Sequence, residues 1–461
     1  MRSRGQALVA LLVSVGVVAG AAFLEREVGA RELGESLAGA VPSGAWFCPH
    51  GGGAEWETWI ELANPGTEPV LARIRSLSSA RPDVLQDIEV PAGATVEVPV
   101  PAGGRERTTT VEYFGRTLVA GWVTHAAGRQ TGVAAEPCLP DTGSRWFLPD
   151  GATQEQDDPY VVVMNPYATD AVISLTLFTE SREPIRTEDW TNVTLRPFHS
   201  ATFRLNEKAL GEPTVSTLVE VSVGRVAAAT MAISKNGGIR AAVGLPGAVV
   251  TQVLPGGDDS GRSDLIAMSA GVERVGLSGS VIDPEQEQPI AGLTDASPPG
   301  GSARTLPATT STPSSLVVEA EGPQVAFARR TYGTVSDQAA TTGATEPAQA
   351  WVVLPVVAGS PAHPGIVLAN PGEMAATVTL RPLPAADAGA VPEPITVEVP
   401  PRRTVSVPKG FVEAVGRSAV VAVAGSGAFV PATASYARGR EGYATYAVAV
   451  GVPIPDAWLR P

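Results

Sequence analysis

Short segments in which apolar and polar residues alternate run through most of this chain. Two examples are "VLARIRSL", residues 70–77, and "ATVTLRPL", residues 376–383. Alternation with a period of two directs one set of side chains into a core and the other to solvent, as in a half-buried β-strand. Turns rich in Gly and Pro separate the segments. The pattern therefore predicts an all-β protein built from many short strands.

The strand pattern recurs with a period of about 100 residues. "WFCP", "WFLP", "QVLP" and "WVVLP" end at Pro49, Pro149, Pro255 and Pro355, at intervals of 100, 106 and 100 residues. A fixed period of this kind indicates repeated structural units. The chain is therefore expected to contain four tandem repeats.

A strand that ends in Asn-Pro follows in three of the units. These dipeptides are Asn64-Pro65, Asn165-Pro166 and Asn370-Pro371, and an alternating segment comes after each. Asn bonds readily to its own main chain and Pro fixes φ at the next position, so the pair starts a turn. Strand, turn and strand together predict a hairpin.

A second signature of strand, proline turn and strand follows. It reads "IEVPAGATVEV" at Ile88–Val98, "VTLRPFHSATFRL" at Val193–Leu205 and "VEVPPRRTVSV" at Val397–Val407. With the later strands, each unit has seven or eight short strands. This predicts four tandem antiparallel β-sandwich repeats of immunoglobulin-like type. A β-propeller of eight four-stranded blades is the alternative.

The motifs set the domain boundaries. Repeat 1 spans 46–140, repeat 2 spans 146–250, repeat 3 spans 251–347 and repeat 4 spans 351–455. Repeat 3 is degenerate, because Ser269 and Ala270 replace Asn-Pro, and a linker is the alternative to a domain there. Its Pro-, Ser- and Thr-rich segment, 295–315, is expected to be a flexible loop.

The N-terminus carries an export signal. Arg2 and Arg4 precede the uncharged segment Ala7–Leu24, which at about 1.5 Å per residue is just long enough to span a bilayer. We expect residues 1–24 to be either an uncleaved signal anchor or a cleaved signal peptide, with small residues at Ala19–Ala21 for cleavage. Residues 25–45 then form a stalk.

Export sets the expectation for the two cysteines, Cys48 and Cys138. An even count in an exported chain predicts a disulfide between them. Two free buried thiols are the alternative. The other units have Leu148, Leu254 and Leu354 at the position of Cys48, so the bond belongs to repeat 1 alone.

The motifs "WFCP", "ANP", "VPAGATVEV" and "EPC" resemble a family of exported actinobacterial proteins that is classed as a domain of unknown function. In that family W-x-C-P, L-x-N-P and V-P-x-G recur in this order, and the first repeat carries both cysteines. The resemblance is clearest over Trp46–Pro246 and weaker in repeat 3. It implies export and association with the cell envelope, and it implies no reaction.

Charge and motifs limit the chemistry. A formal net charge of −14 without a basic run argues against a nucleic-acid partner. No nucleotide-binding loop, zinc-protease or G-x-S-x-G motif is present. We interpret His50, His125, His199 and His363 as solvated or core-edge residues, and no metal, cofactor or catalytic residue is predicted.

Acidic clusters are densest at Asp157 and Asp158 and at Asp258, Asp259 and Asp264. A carboxylate pair can serve a glycosidase, and clustered oxygens can bind calcium. The spacing matches no known calcium loop, so solvated loops are the preferred interpretation.

Two further features of the sequence are candidate glycan sites. Trp56 and Trp59, three apart on one strand, point to opposite faces, so one is expected in the core and one is a candidate sugar platform. Packing of both in the sandwich is the preferred interpretation. The sequon Asn192–Thr194 falls in a predicted strand and is taken as chance.

Together these features predict a non-enzymatic protein of the cell envelope. It is expected to be held by its N-terminal helix with the bulk of the chain outside the cytoplasm, or else to be secreted. There it would serve as a structural or binding scaffold for a partner protein or a cell-wall glycan. An accessory or catalytic subunit in cell-wall glycan processing is the alternative.

Overall fold

The structure is a computed structural model. It describes residues 41–459 except for 81, 128–129, 155–156, 235–237, 257–261, 294–297, 311–312, 323, 333–337, 357–362, 386–390 and 439–443. The predicted membrane segment Ala7–Leu24 and most of the stalk lie outside these residues. Within them, no helix has the length and apolar character needed to cross a membrane.

Repeat 1 contains eight strands. They are β1 (Gly44–Cys48), β2 (Trp56–Ala63), β3 (Val70–Leu77), β4 (Asp83–Val90), β5 (Thr95–Val100), β6 (Thr108–Phe114), β7 (Val119–Ala127) and β8 (Thr131–Pro137). Two four-stranded sheets form, in the orders β1-β6-β3-β4 and β5-β2-β7-β8, and every pairing is antiparallel. The two sheets pack face to face around one core.

The same two-sheet unit recurs three times. Repeat 2 has β9 (Arg145–Leu148), β10 (Asp158–Asn165), β11 (Ala171–Thr179), β12 (Val193–Leu195), β13 (His199–Arg204), β14 (Val215–Val223), β15 (Ala227–Ile233) and β16 (Ile239–Val243). Repeat 3 has β17 (Thr251–Gly256), β18 (Arg262–Ser269), β19 (Leu277–Ile282), β20 (Glu287–Pro289), β21 (Ser302–Thr309), β22 (Ser314–Ala320), β23 (Val325–Tyr332) and β24 (Gln338–Thr341).

Repeat 4 adds one strand and one helix to the pattern. Its elements are β25 (Ala350–Val353), β26 (His363–Asn370), β27 (Ala376–Leu383), β28 (Ile395–Val399), β29 (Arg403–Ser406), α1 (Lys409–Val415), β30 (Ala419–Ser426), β31 (Val430–Arg438), β32 (Ala444–Val450) and β33 (Val452–Pro453). Short 3-10 turns lie at Glu188–Trp190, Leu205–Glu207 and Asp456–Leu459.

The alternating sequence pattern sets which face of a strand is buried. In β3, the side chains of Val70, Ala72 and Ile74 are buried, while those between them are half-buried. Successive side chains of a strand point to opposite faces, so the apolar set fills the sandwich core. The all-β prediction is confirmed.

The predicted Asn-Pro hairpin is wrong. β2 pairs with β5 and β7, whereas β3 pairs with β4 and β6, so the turn carries the chain from one sheet to the other. The proline turn between β4 and β5 also crosses between sheets. A short turn of this composition is compatible with either connection, and packing of the two sheets decides between them.

The asparagine of each Asn-Pro turn ties the two sheets together. The Asn370 side-chain amide donates to the carbonyl oxygens of Met374 at 2.7 Å and Val399 at 3.0 Å. The first carbonyl lies in the same turn and the second at the end of β28 in the other sheet. Asn64 and Asn165 make the corresponding bonds, so the motif fixes a crossing between the sheets.

The strand order is immunoglobulin-like only at its centre. β2 to β6 follow the positions of strands B, C, C′, E and F of a variable immunoglobulin domain. β1 lies beside β6, where strand G belongs, and β7 lies beside β2, where strand A belongs. The expected immunoglobulin order therefore fails at both ends of the repeat.

The segment 295–315, predicted as a flexible loop, contains a strand. β21 pairs with β18 along its whole length, from Ser269–Ser302 to Arg262–Thr309. Pro307 is tolerated there because β21 is an edge strand, where a missing N–H costs no ladder bond on the outer side. The composition obscured a strand that the repeat pattern requires.

The four sandwiches form a closed ring. The last strands of the repeats, β8, β16, β24 and β32, contact one another in cyclic order. Main-chain hydrogen bonds join neighbouring repeats at three junctions. In each, an N–H near the start of the fifth strand of one repeat donates to a carbonyl oxygen just after the third strand of the repeat before it in the ring. The donor and acceptor pairs are Ser200–Ser78 at 3.0 Å, Thr404–Asp283 at 3.3 Å and Thr95–Pro384 at 2.9 Å. The last pair joins repeat 1 to repeat 4 and closes the ring. The ring is built from four two-sheet sandwiches and not from eight single-sheet blades, so the propeller alternative is wrong.

The ring has two distinct faces. At one face, each repeat begins its first strand, ends its last strand and makes the turn that contains Asn-Pro in repeats 1, 2 and 4. We call this the connection face. At the other, β7 turns into β8 and β15 into β16; we call this the hairpin face. The strand directions given by the antiparallel pairings assign every loop to one face.

Candidate binding site

The two cysteines of repeat 1 are bonded to each other, with Cα atoms 4.5 Å apart. Cys48 ends β1 in one sheet and Cys138 follows β8 in the other. Next to the bond, Phe47 and Leu139 exchange two main-chain hydrogen bonds of 2.9 and 2.8 Å. The disulfide therefore lies at a junction where the first and last strands of the repeat meet at the connection face.

The same junction is built without a disulfide in the other repeats. Phe147 bridges to Leu245, and Val253 bridges to Ala344, while in repeat 4 β25 pairs with β33. The residues that take the places of Cys48 and Cys138 are Leu148 and Gly244, Leu254 and Gly343, and Val353 and Gly451. In repeat 4 the register assigns Val353 to the place of Cys48, which corrects the predicted Leu354.

The structure does not gather the histidines into a site. His50 is fully buried: its Nδ1 donates to the Gly51 carbonyl at 2.5 Å and its Nε2 accepts from the Thr109 hydroxyl at 2.9 Å. Burial lowers the pKa of His50 to about 4, so the ring is neutral at neutral pH. His125 and His199 are half-buried on β7 and β13, and the side chain of His363 lies outside the described residues.

The predicted acidic clusters are dispersed. Asp158 pairs with Arg105 at 2.9 Å and with Arg204 at 2.5 Å. Asp264 is buried and accepts a hydrogen bond of 2.5 Å from the Tyr332 hydroxyl. Asp157 lies 3.5 Å from Arg240, and Asp258 and Asp259 lie outside the described residues. In the described part of the chain, no three metal-ligating side chains converge.

Neither tryptophan offers a free sugar platform. Trp56 is buried, and its indole N–H donates to the Gln130 side chain at 2.6 Å. Trp59 is partly buried against a cluster that joins repeats 1 and 4. Asn192 is exposed with φ of 55° and precedes β12, so the sequon begins in a turn and not in a strand.

A buried charge cluster that the sequence did not reveal joins repeats 2 and 3. Asp150 accepts hydrogen bonds from Arg240 at 3.0 Å and from Arg330 at 2.6 Å, and all three side chains are buried. Burial alone would raise the pKa of Asp150, but the two guanidinium groups outweigh it and lower the pKa to about 2. The cluster forms only when residues 90 and 180 positions apart meet at the junction of two neighbouring repeats.

A large cavity lies at the centre of the connection face, and we call it the axial pocket. It measures about 1190 Å³ and is lined by the connections between repeats, residues 137–140, 245–251, 343–348 and 450–453. All four repeats therefore contribute to one cavity near the ring axis. Its volume reaches the upper end of the usual range for ligand pockets.

Most of the pocket wall is apolar. The indole N–H groups of Trp46 and Trp351 face main-chain carbonyls, Leu118 at 2.8 Å and Ala348 at 3.1 Å, so these rings offer only apolar surface. Trp458 completes the aromatic part of the wall. No Lys, Arg or His is among the lining residues.

Glu136 is a buried acid in this wall. The side chain is 2% exposed, and its Oε1 has no hydrogen-bond partner within the described structure. Burial raises the pKa of Glu136 well above its usual range, although a hydrogen bond from the Val243 main chain opposes this. Burial without a counter-charge therefore favours the neutral form of this carboxyl group.

The sequence carried a signal for Glu136 that motif reasoning missed. The register places Ala242, Thr341 and Ala449 at the matching positions of the other repeats. Three small residues and one buried acid at equivalent positions indicate that the fold does not require the acid. Breaks in an otherwise consistent local pattern concentrate at functional sites.

Comparisons with known proteins give one family and several distant structural likenesses. No curated protein matches the chain. One structure described as a Ca²⁺-stabilised adhesin that helps an Antarctic bacterium bind ice is 9% identical, with a TM-score of 0.11, over 85% of this chain and 95% of the other. A tetra-tandem repeat from the extending region of a large adhesion protein is 13% identical, with a TM-score of 0.09, over 84% of this chain and 92% of the other.

Such low TM-scores describe neither the arrangement nor a ligand of this chain. The family comparison is stronger, because the model matches residues 109–410, which is more than half of the sequence and extends from repeat 1 into repeat 4. The chain therefore belongs to the family described as "Family of unknown function (DUF5719)".

Proposed function

We propose that this protein is a non-enzymatic scaffold of the cell envelope that holds a partner protein outside the cytoplasm. One observation carries the proposal: the four sandwiches close into a ring instead of forming an open array. Thr95 of repeat 1 donates its N–H to Pro384 and its hydroxyl to the Leu383 carbonyl of repeat 4, at 2.9 and 2.8 Å. A closed ring presents loops of all four repeats on one rigid face.

Exposed apolar side chains on the connection face favour a protein partner over a glycan. Tyr167, Val272 and Met374 occupy the loop after the Asn-Pro position in repeats 2, 3 and 4, and their exposures are 40%, 96% and 71%. Their recurrence in the same loop of three repeats, on one face of the ring, supports a protein interaction surface there. Trp56 and Trp59, the candidate sugar platforms, are both packed.

The acids singled out by sequence also favour a scaffold over an enzyme in glycan processing. A retaining or inverting glycosidase needs two carboxyl groups on either side of one bond. Asp158 is held by two arginines, and Asp264 is bonded to Tyr332. These contacts stabilise the fold and leave the two carboxyl groups in different repeats.

Crosslinking in intact cells tests the proposal. We expect the full-length protein to be recovered with a crosslinked protein, and the double variant Val272→Ser, Met374→Ser to lose it. Leu210→Ser is the matched control, because Leu210 is 70% exposed on the hairpin face. Equal recovery from the two variants, or crosslinks to glycan alone, would contradict a protein partner at the connection face.

Fractionation tests the proposed anchor separately. Recovery of the full-length chain with the membrane fraction is expected for an uncleaved segment at Ala7–Leu24. A shortened chain in the medium that begins near Ala22 would show cleavage and secretion instead. The scaffold proposal survives that result, but the membrane tether does not.

A further inference from the structure

We infer that the axial pocket binds an uncharged amphiphile, with its apolar chain along the wall and a hydroxyl or carbonyl group hydrogen-bonded to Glu136. The inference concerns a small-molecule site and is independent of the partner protein proposed above. It rests on the size of the pocket, the charge of its wall and one buried polar atom without a partner.

The wall first sets the apolar part of the ligand. Trp46, Trp351 and Trp458 line the pocket together with prolines, valines and small residues from the repeat connections. A pocket that is mainly apolar, with a few polar groups, binds the apolar body of a ligand and orients it through those groups. The volume of about 1190 Å³ accommodates an extended alkyl chain.

The charges of the wall then exclude an anionic head group. Glu136 and Glu346 are the ionisable acids that line the pocket, and no cationic side chain lies among the lining residues. An anion placed here would lose its hydration without gaining a counter-charge, which is strongly unfavourable. Fatty acids and phospholipid head groups therefore fit poorly.

Glu136 supplies the specific contact. Its Oε1 is buried without a hydrogen-bond partner in the described structure, although a group that lacks a partner costs free energy. A hydroxyl or carbonyl group of a ligand removes that cost, because a neutral carboxyl group both donates and accepts. The matching positions of the other repeats hold Ala242, Thr341 and Ala449, so no second carboxyl group stands at an equivalent place.

Titration calorimetry with three head groups on the same twelve-carbon chain tests the inference. The ligands are lauroyl glycerol, laurate and dodecylammonium, each kept below its critical micelle concentration. We expect one lauroyl glycerol per chain, with laurate and dodecylammonium weaker by about tenfold or more. Absence of saturable binding of lauroyl glycerol, or tighter binding of either ion, would overturn the inference.

Variants locate the site. Ala248→Trp adds an indole to an exposed position in the pocket wall and is expected to reduce affinity for lauroyl glycerol by about tenfold or more. Ala80→Trp is the matched control on the hairpin face, where Ala80 is also exposed. Equal affinities of these two variants would place the ligand elsewhere.

Two substitutions of Glu136 test its contact. Glu136→Gln keeps an uncharged hydrogen-bonding group and is expected to bind lauroyl glycerol nearly as the parent does. Glu136→Leu removes the contact and is expected to lose about tenfold in affinity. Equal affinities of the Gln and Leu variants would show that Glu136 makes no contact with the ligand.

Discussion

Repeat 1 and repeat 2 close the same junction by different means. Repeat 1 joins Cys48 to Cys138 covalently, whereas repeat 2 places Leu148 opposite Gly244. In repeat 2, one position gains a large apolar side chain and the other loses its side chain altogether. The junction therefore requires a fixed volume, and a disulfide or a leucine against a glycine can fill it.

Breaking the bond in repeat 1 is expected to have the largest effect. The bond closes a loop of 90 residues, which corresponds to about 4–5 kcal/mol of unfolding free energy in the chain-entropy model. The double variant Cys48→Ala, Cys138→Ala loses the stabilisation by the crosslink and also leaves a cavity at the junction, so its free energy of unfolding is expected to fall. Chemical denaturation of the parent and the variant measures the loss.

A matched variant separates the crosslink from the packing. Cys48→Leu with Cys138→Gly copies the solution of repeat 2, so it should lose the crosslink but recover part of the packing. We expect it to be more stable than the double alanine variant by about 1–3 kcal/mol. If the two variants are equally stable, the junction does not depend on its filled volume.

Repeats 1 and 2 also differ in the titratable residue that follows Pro49 and Pro149, and this gives their stabilities different pH dependences. His50 occupies this place in repeat 1 and Asp150 in repeat 2. Folding lowers the pKa of His50 from 6.5 to about 4. As the pH falls, the unfolded chain is therefore protonated at a higher pH than the folded protein. The contribution of neutral His50 to the free energy of unfolding is therefore fully present above pH 6.5. It declines towards pH 4, by about 3 kcal/mol in all.

The contribution of Asp150 to stability changes over a lower pH range than that of His50. Its pKa of about 2 in the folded protein lies below the usual 3.8, so its contribution is present above pH 3.8 and is lost towards pH 2. Denaturation of the parent and of His50→Gln between pH 7 and pH 4 isolates the histidine. Identical slopes for the two proteins would show that His50 does not cause the decline.

The glycine of repeat 2 is packed too closely to accept a side chain without a loss of stability. A Cβ atom at Gly244 would lie 2.9 Å from the Ala228 carbonyl oxygen and 2.9 Å from the Trp146 ring. Gly244→Ala should therefore cost about 1–3 kcal/mol through overpacking. Gly410→Ala is the control: nothing lies within 4 Å of its Cβ position in α1, and a gain of about 0.5–1 kcal/mol is expected. Thermal denaturation compares the two, and a neutral Gly244→Ala would contradict the close approach.

The strands and the period could be predicted because both are local properties of the sequence. Alternation along β3 is visible in eight consecutive residues, and the repeated proline marks each unit. The sheet that a strand joins is not local. Asn370 donates to Val399, which lies 29 residues away, and nothing in the Asn-Pro dipeptide distinguishes this crossing from a hairpin.

The candidate site escaped prediction for a related reason. The axial pocket exists only because four connections meet around the ring, and no single repeat contains it. Glu136 could have been noticed as a lone acid among small residues, but alignment of the last strands depends on the register of β7 with β8. The disulfide could be predicted from the sequence, because an exported chain with two cysteines has one possible pairing.

Installing the bond of repeat 1 in repeat 2 is expected to have the smallest effect. Leu148→Cys with Gly244→Cys removes the leucine that a Cβ atom at position 244 would meet at 3.0 Å. The contacts with the Ala228 carbonyl and the Trp146 ring remain, so main-chain shifts offset most of the crosslink, and the net gain should be about 1 kcal/mol or less. Mass spectrometry without reduction establishes that the bond forms, and denaturation with and without reductant measures its effect. A gain as large as the loss in repeat 1 would show that the glycine is not needed for close packing, and that the two junctions differ only in the residues that fill them.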